Sequence, residues 1–198
     1  MPASLIPSFL LYCYITAITP GPANLASLSA AMRYGRKEAL CQWRGLLTGF
    51  TMDAMAAVLI TYFLGTALNK YIRWLTWAGA VYILWLAWHI FRSSGIASED
   101  DPAKPSFRTG LIIQLTNVKV IVFCLTALSS YVLPHDSSLL TLFLTGLFLT
   151  LTGPLANLVW VFGGEFLRGL FLKHGKVMDT IMAASLVLCA VSLVWTAF

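Results

Sequence analysis

Three features of this chain put chemically capable groups in unusual surroundings. Asp53 is the only charge between Arg44 and Lys70, and Lys119 is the only one between Arg108 and Asp136, so each sits in a long apolar stretch. An acid and a base so placed can form a buried ion pair or hold a charged solute. An aspartate whose cationic partner comes and goes can also load and release a proton. The third feature is Pro20-Gly21-Pro22, with Asn24 two residues further on. Two prolines remove two backbone donors and crowd the turn before them, so a helix breaks there and leaves carbonyls and amides that must meet protein, water or substrate. Asn24 is placed to add hydrogen bonds. Gln114 and Asn117 precede Lys119 by five and two residues, spacings that do not put all three on one face of a helix. Gly153-Pro154 with Asn157 is a milder version of the proline motif and is read as a packing kink.

The elements that position these groups follow from composition. Of 198 residues, 59% are hydrophobic and 11% charged, against roughly a quarter charged in soluble domains. A spanning helix needs about 20 mostly apolar residues. Six such stretches exist: before Arg33, Arg44 to Lys70, Arg73 to Arg92, Arg108 to Asp136, Asp136 to Glu165, and after Asp179. The expected fold is therefore all-α and polytopic, with six transmembrane helices, the first broken at Pro-Gly-Pro. A cleaved signal peptide would need a basic first segment. Met1 to Phe9 has neither Lys nor Arg, so this segment reads as the first retained span.

The net charge of +5 is explained by its distribution, and no nucleic acid is implied. Basic residues mark cytoplasmic loops. With six spans, one face collects Arg33, Arg36, Lys37, Arg44, Arg92, Lys104, Arg108, Arg168, Lys173 and Lys176, while the other has only Lys70 and Arg73. Both termini, and His135, are thus expected outside the cytoplasm. The polar segment around Glu99, Asp100 and Asp101 divides a single transporter domain, 1–198, into a first half at 1–92, a cytoplasmic linker at 93–108 and a second half at 109–198. Three spans per half is the pattern of an inverted repeat.

Depth brings the unusual groups together. At about 1.5 Å per residue, Asp53 lies roughly 14 Å beyond Arg44, and Lys119 roughly 16 Å beyond Arg108. Pro22 and Pro154 lie eleven residues before Arg33 and Glu165, again roughly 16 Å deep, where half the hydrocarbon core is about 15 Å. An ionised lysine there costs at least about 2.5 kcal/mol and needs a partner or a polar cavity. Asp53 is the candidate partner, either as a proton carrier or in a static ion pair joining two helices. Gly45 and Gly49 form a small-xxx-small pair that explains itself by close packing. Trp74, Trp77 and Trp88 suit interfacial belts. Cys13, Cys41, Cys124 and Cys189 are spaced as apolar fillers, and His89, His135 and His174 lack metal-ligand spacing. Neither a cofactor nor a metal is expected, and enzyme chemistry finds little support.

Thr19-Pro20-Gly21-Pro22, the basic stretch Arg33 to Arg44, Gly45 with Gly49, and Asn117-Val118-Lys119 together resemble the LysE/RhtB family of amino-acid exporters, over essentially the whole chain. Within it, the stretches Trp77 to Trp88, Thr126 to Ser129 and Val132 to Pro134 look most like the branch that exports cysteine and O-acetylserine. The chain departs from the family in three ways. Asn follows Pro-Gly-Pro only after Ala23, Val118 stands where many members have proline, and Asp53 matches no general family aspartate. The proline that would dictate a break in the fourth span is therefore missing.

The resemblance implies a bacterial inner-membrane exporter of small neutral amino acids. No nucleotide-binding motif is present, so proton antiport is the natural drive. The expected substrate contacts are Pro20, Gly21, Pro22, Asn24, Asn117 and Lys119, with Asp53 the candidate for proton coupling. Lys119 or the half-helix after Pro22 would receive a carboxylate, and Asp53 or freed carbonyls near Gly21 an ammonium. The expected partners are a small amino-acid substrate and the lipid bilayer, with a homo-oligomer left open. Export of homoserine, threonine or another amino acid, and a channel or uniporter for a small polar solute, are the alternatives.

Overall fold

The structure is a computed structural model that describes residues 2–92 and 104–195, and over those residues it is helical with no strand. A short 3-10 turn at Ala3–Leu5 leads into α1 (Ile6–Ile18). The prolines then act as their chemistry requires. Thr19, before Pro20, has ψ 133°, and Gly21, before Pro22, is extended at φ −162° and ψ 176°, because a following proline excludes the helical region. α2 (Pro22–Tyr34) restarts with proline at its first position, where the missing N–H costs nothing. The two pieces are bent by 44° at the break and together are long and apolar enough for one candidate span. Gly35 turns the chain at φ 93°, a value that favours glycine, into α3 (Arg36–Leu64). A 3-10 turn at Gly65–Ala67 precedes α4 (Leu68–Arg92).

The second half begins with α5 (Phe107–Leu115), capped by the Ser106 hydroxyl accepting from the Thr109 amide. α6 (Val118–Thr126) runs on into a π-helical turn at Ala127–Val132. This pair is bent by 57°. α7 (Leu139–Trp195) is kinked at His174, where φ is −134° and ψ 41°, and carries two apolar arms, Leu139–Leu170 and Leu172–Val191.

Among the described residues, three helices, α3 and the two arms of α7, are long and apolar enough to cross a membrane, and counting each bent pair as one span gives up to five. α4 has 25 residues, several of whose side chains lie outside the described residues, and is not counted with them. Of the linker expected at 93–108, residues 93–103 lie outside the described residues, as do the side chains of Lys70 and Arg73.

Packing explains why the second half docks where it does. A Cβ on Gly45 would lie 2.0 Å from the Phe107 carbonyl oxygen, one on Gly110 2.0 Å from that of Gln42, and one on Gly49 2.7 Å from Gln114 Cβ. α3 and α5 therefore meet backbone to backbone, the close approach that small residues permit. Buried Phe9, Cys13, Phe50, Phe123, Leu128, Leu142 and Leu149 fill one side of the bundle. Leu25, Met32, Ile83, Met182, Leu186 and Cys189 fill the other. Trp74, Trp77, Trp85 and Trp88 on α4 are exposed, as membrane-facing aromatics would be. Cys13, Cys124 and Cys189 are buried fillers, but Cys41 is exposed, so the filler reading fails there. At one end of the bundle Arg33 bridges to Asp179 at 3.1 Å and Arg36 to Glu165 at 3.9 Å. Lys176 donates to the Phe91 carbonyl at the same end.

Candidate functional site

The break in the first span exposes carbonyls in a predictable order. Pro20 cannot donate to the carbonyl of Thr16, nor Pro22 to that of Ile18. Asn24 compensates in part: its Nδ2 donates to the carbonyls of Ala17 and Thr19, both at 3.0 Å. Its Oδ1 accepts from Asn157 Nδ2 at 2.8 Å, and Asn157 Oδ1 accepts from Ser27 at 2.7 Å. A chain of amides thus ties the broken span to the first arm of α7. Asn157 is part of this network and not an adjunct to a packing kink. The backbone of α7 stays helical through Pro154, and Gly153 seats the Phe50 ring, which a Cβ there would meet at 2.3 Å.

Lys119 completes the site from α6. It is 8% exposed, and its Nζ donates to the Thr19 carbonyl at 2.6 Å. Gly21 lets it through, since a Cβ there would meet Lys119 Cδ at 2.9 Å and Nζ at 3.2 Å. The glycine between the prolines is therefore needed for clearance and not for its dihedral angles, which any residue adopts.

A break also occurs on the Lys119 side, although Val118 stands where a proline would force it. Asn117 has φ −81° and ψ 86°, and the Val118 amide donates to the Thr116 carbonyl at 3.1 Å. That is an inverse γ-turn. Helix α6 starts afresh after it, so Gln114, Asn117 and Lys119 all face one cavity, which an unbroken helix would not allow. Asn117 is 2% exposed, and its Oδ1 has no hydrogen-bond partner among the described residues.

The expected pairing of Asp53 with Lys119 is not formed. Asp53 Oδ2 accepts from Gln114 Nε2 at 3.3 Å, and Lys119 is bonded to the Thr19 carbonyl. Docking of α5 on α3 through the glycines delivers Gln114 to Asp53, while the bend after Leu115 carries Lys119 away from it. Asp53 stands one layer behind the cavity wall, with Gln114 between.

The cavity is lined by Thr16 and Ala17 from α1, Gly21, Ala23 and Asn24, Leu46 and Phe50 from α3, Gln114, Asn117, Lys119 and Phe123, and Gly153, Pro154 and Asn157 from α7. Pro20 and Pro22 shape the break without lining the cavity. Phe50 and Phe123 were not foreseen, yet Phe123 is four residues after Lys119 and so shares its face. The cavity volume is about 40 Å³. Electrostatically the cavity is two-ended. The C-terminal carbonyls of α1 bring negative dipole to it, and the start of α2 and Lys119 bring positive charge.

Residues 14–197 match the family model described as a LysE type translocator. A cysteine/O-acetylserine efflux protein of Klebsiella pneumoniae is 37% identical over 194 residues, covering 98% of this chain and 99% of that protein. Proteins of the same description from Escherichia coli K12 and Salmonella typhimurium are each 35% identical, with 96% of this chain and 98% of theirs covered. No solved structure matches the chain.

Proposed function

The chain belongs to the LysE-type translocator family, and from that premise we propose that this multi-pass membrane protein exports small neutral amino acids, foremost cysteine and O-acetylserine, from the cytoplasm in exchange for protons. The observation that carries the reading is the two-ended cavity at the break of the first span, where Lys119 reaches across to the Thr19 carbonyl. A zwitterion fits such a site in one orientation, with its carboxylate toward Lys119 and the helix starts and its ammonium toward the carbonyls of α1. A second cation on the substrate, as in lysine, would find no counter-charge in the wall, because Asp53 is turned to Gln114. Asp53 is the proton carrier in this reading. It is separated from the substrate by a single amide, so changes at the cavity reach it through Gln114.

The topology follows from the same premise. α4 supplies the sixth crossing, both termini lie in the periplasm, and the membrane is the inner one. The gathering of Arg33, Arg36 and Lys176 at one end of the bundle supports that orientation. Each half opens with a bent helix pair, followed by α3 and α4 in the first and by the two arms of α7 in the second, which supports a three-plus-three inverted repeat.

Efflux from cells preloaded with cysteine, O-acetylserine, homoserine, threonine or lysine, followed by proteoliposome assays with and without a pH gradient, tests the proposal. Cysteine and O-acetylserine are expected to leave faster, and only when the gradient is imposed. Lys119→Met should abolish export while the protein still inserts, and Asp53→Asn should alter its pH dependence. Efflux of lysine without cysteine or O-acetylserine would overturn the substrate assignment, and homoserine or threonine efflux alone would replace it.

A further inference from the structure

The bond between Lys119 and Thr19 says more than that a buried lysine has found a partner. A lysine Nζ is a primary ammonium, the same group that every α-amino acid carries. It sits on a carbonyl that the break makes available: in an unbroken helix the Thr19 oxygen would accept from the Ala23 amide, four residues on. The Ala17 carbonyl lies beside it, held in place by Asn24, and Thr16 and Ala17 line the same cavity. The lysine stem lies against Gly21 along this wall. Among the described residues no carboxylate meets the ammonium, since Asp53 is bonded to Gln114 and the Lys119 contact is a neutral carbonyl. A buried cation held only by dipoles lacks its counter-charge.

We infer that the carbonyl set at the end of α1, centred on Thr19, is the ammonium subsite of the transporter, and that Lys119 is its tethered occupant, exchanged for substrate. The inference rests on the amino-acid exporter reading above. The incoming α-ammonium replaces Nζ on the Thr19 carbonyl, and the displaced Lys119 meets the incoming α-carboxylate. The net charge of the site is then the same before and after, because a zwitterion brings equal and opposite charges. An amine without a carboxylate would leave two cations in a low-dielectric cavity, where like charges repel strongly. A carboxylate without an amine would draw Lys119 off and leave the Thr19 carbonyl with only its bond from Asn24. Selection for the α-amino acid headgroup thus comes from the exchange, and the side chain is left to Phe50, Phe123 and the rest of the wall.

The test is ligand-induced thermal stabilisation of the purified protein under reducing conditions, with cysteine, cysteamine and 3-mercaptopropionate as probes. Cysteine is expected to stabilise the wild type well beyond either fragment. In Lys119→Met the affinity of cysteamine relative to cysteine should rise by roughly tenfold or more, the least that removal of a repelling buried charge would give. An unchanged ratio would overturn the inference while leaving the exporter reading in place, whereas a wild type stabilised by no amino acid would overturn both. If Lys119→Met does not purify folded, the wild type decides. Acetate should strengthen methylammonium binding relative to chloride at equal ionic strength, and independent binding of the two ions would sink the exchange.

Discussion

The two bent spans reach the same cavity by opposite routes. In the first, the break is written into the local chain: two prolines withhold donors, the residues before them are extended, and Asn24 supplies bonds to the carbonyls left over. In the second, no proline intervenes, yet the bend is larger, 57° against 44°. Its cause is contact. α5 is clamped to α3 through Gly45, Gly49 and Gly110, α6 packs in a different direction, and the chain between them closes on an inverse γ-turn at Asn117. One break is built by its own residues, and the other is imposed by its neighbours. A substitution therefore acts on the first through hydrogen bonds and on the second through helix packing.

The largest expected effect comes from attacking the clamp. Gly110→Ala puts a methyl 2.0 Å from the Gln42 carbonyl oxygen, a backbone atom that cannot step aside. A loss of about 3 kcal/mol or more is expected, at the upper end for overpacking, read as a fall in folded protein by size-exclusion and thermal unfolding in detergent. Gly163→Ala, with nothing within 4 Å of its Cβ, is the control and should be silent. If Gly110→Ala is equally silent, the second break is not imposed by packing.

Next in size is Asn24→Ala, which removes two bonds to the carbonyls of the first break and leaves the Asn157 amide without its acceptor. A destabilisation of about 1–3 kcal/mol should follow. Asn24→Asp should do no better than Asn24→Ala, because a carboxylate accepts from Asn157 but cannot donate to Ala17 or Thr19. Recovery of stability and efflux in Asn24→Asp would show that donation to the broken span is unimportant.

The start of α7 gives a scale for a helix end held by local side chains alone. Asp136 accepts from the Thr141 hydroxyl at 2.6 Å and the Ser138 amide at 2.9 Å, and these bonds hold its pKa down to about 2. Because the folded value is depressed, its stabilising contribution is complete above the ordinary carboxylate pKa near 3.8 and is lost as pH falls through about 2. Asp136→Asn should lower the melting temperature slightly at neutral pH and flatten the acid limb of stability against pH. An unchanged acid limb would remove Asp136 from the account.

Smallest of all is Val118→Pro. Position 118 opens α6, where proline is well tolerated, and its amide makes only the 3.1 Å γ-turn bond. Efflux within about twofold of wild type is expected, since the lost bond is offset by a stiffer unfolded chain. Abolished transport would mean that the second break depends on that amide after all.

Much of the site was legible because depth in a membrane can be counted. Charges mark helix ends and each residue advances a fixed distance, so Lys119, Pro22 and Pro154 could be set at one level before any fold was known, and the structure gathers Gly21, Lys119 and Pro154 around one cavity. Depth says nothing about direction around a helix axis. That is why Asp53 and Lys119, level with each other, were candidates to pair and yet do not. It is also why Asn157, on the right face of α7, was weighed as part of a kink. Once the helix breaks at Asn117, the periodicity used to separate Gln114 from Lys119 no longer applies.

The sequence alone determined an all-helical chain of long apolar segments, the break at Pro20 to Pro22 and the burial of Lys119. Each of these follows from local covalent chemistry or from the cost of exposing polar groups to hydrocarbon. Only the tertiary structure decided that Lys119 reaches the Thr19 carbonyl past Gly21, that Gln114 takes Asp53, and that α6 turns away from α5 without a proline. Those outcomes depend on which helix faces meet, and glycines spaced for close approach specify that a helix docks there without naming the partner.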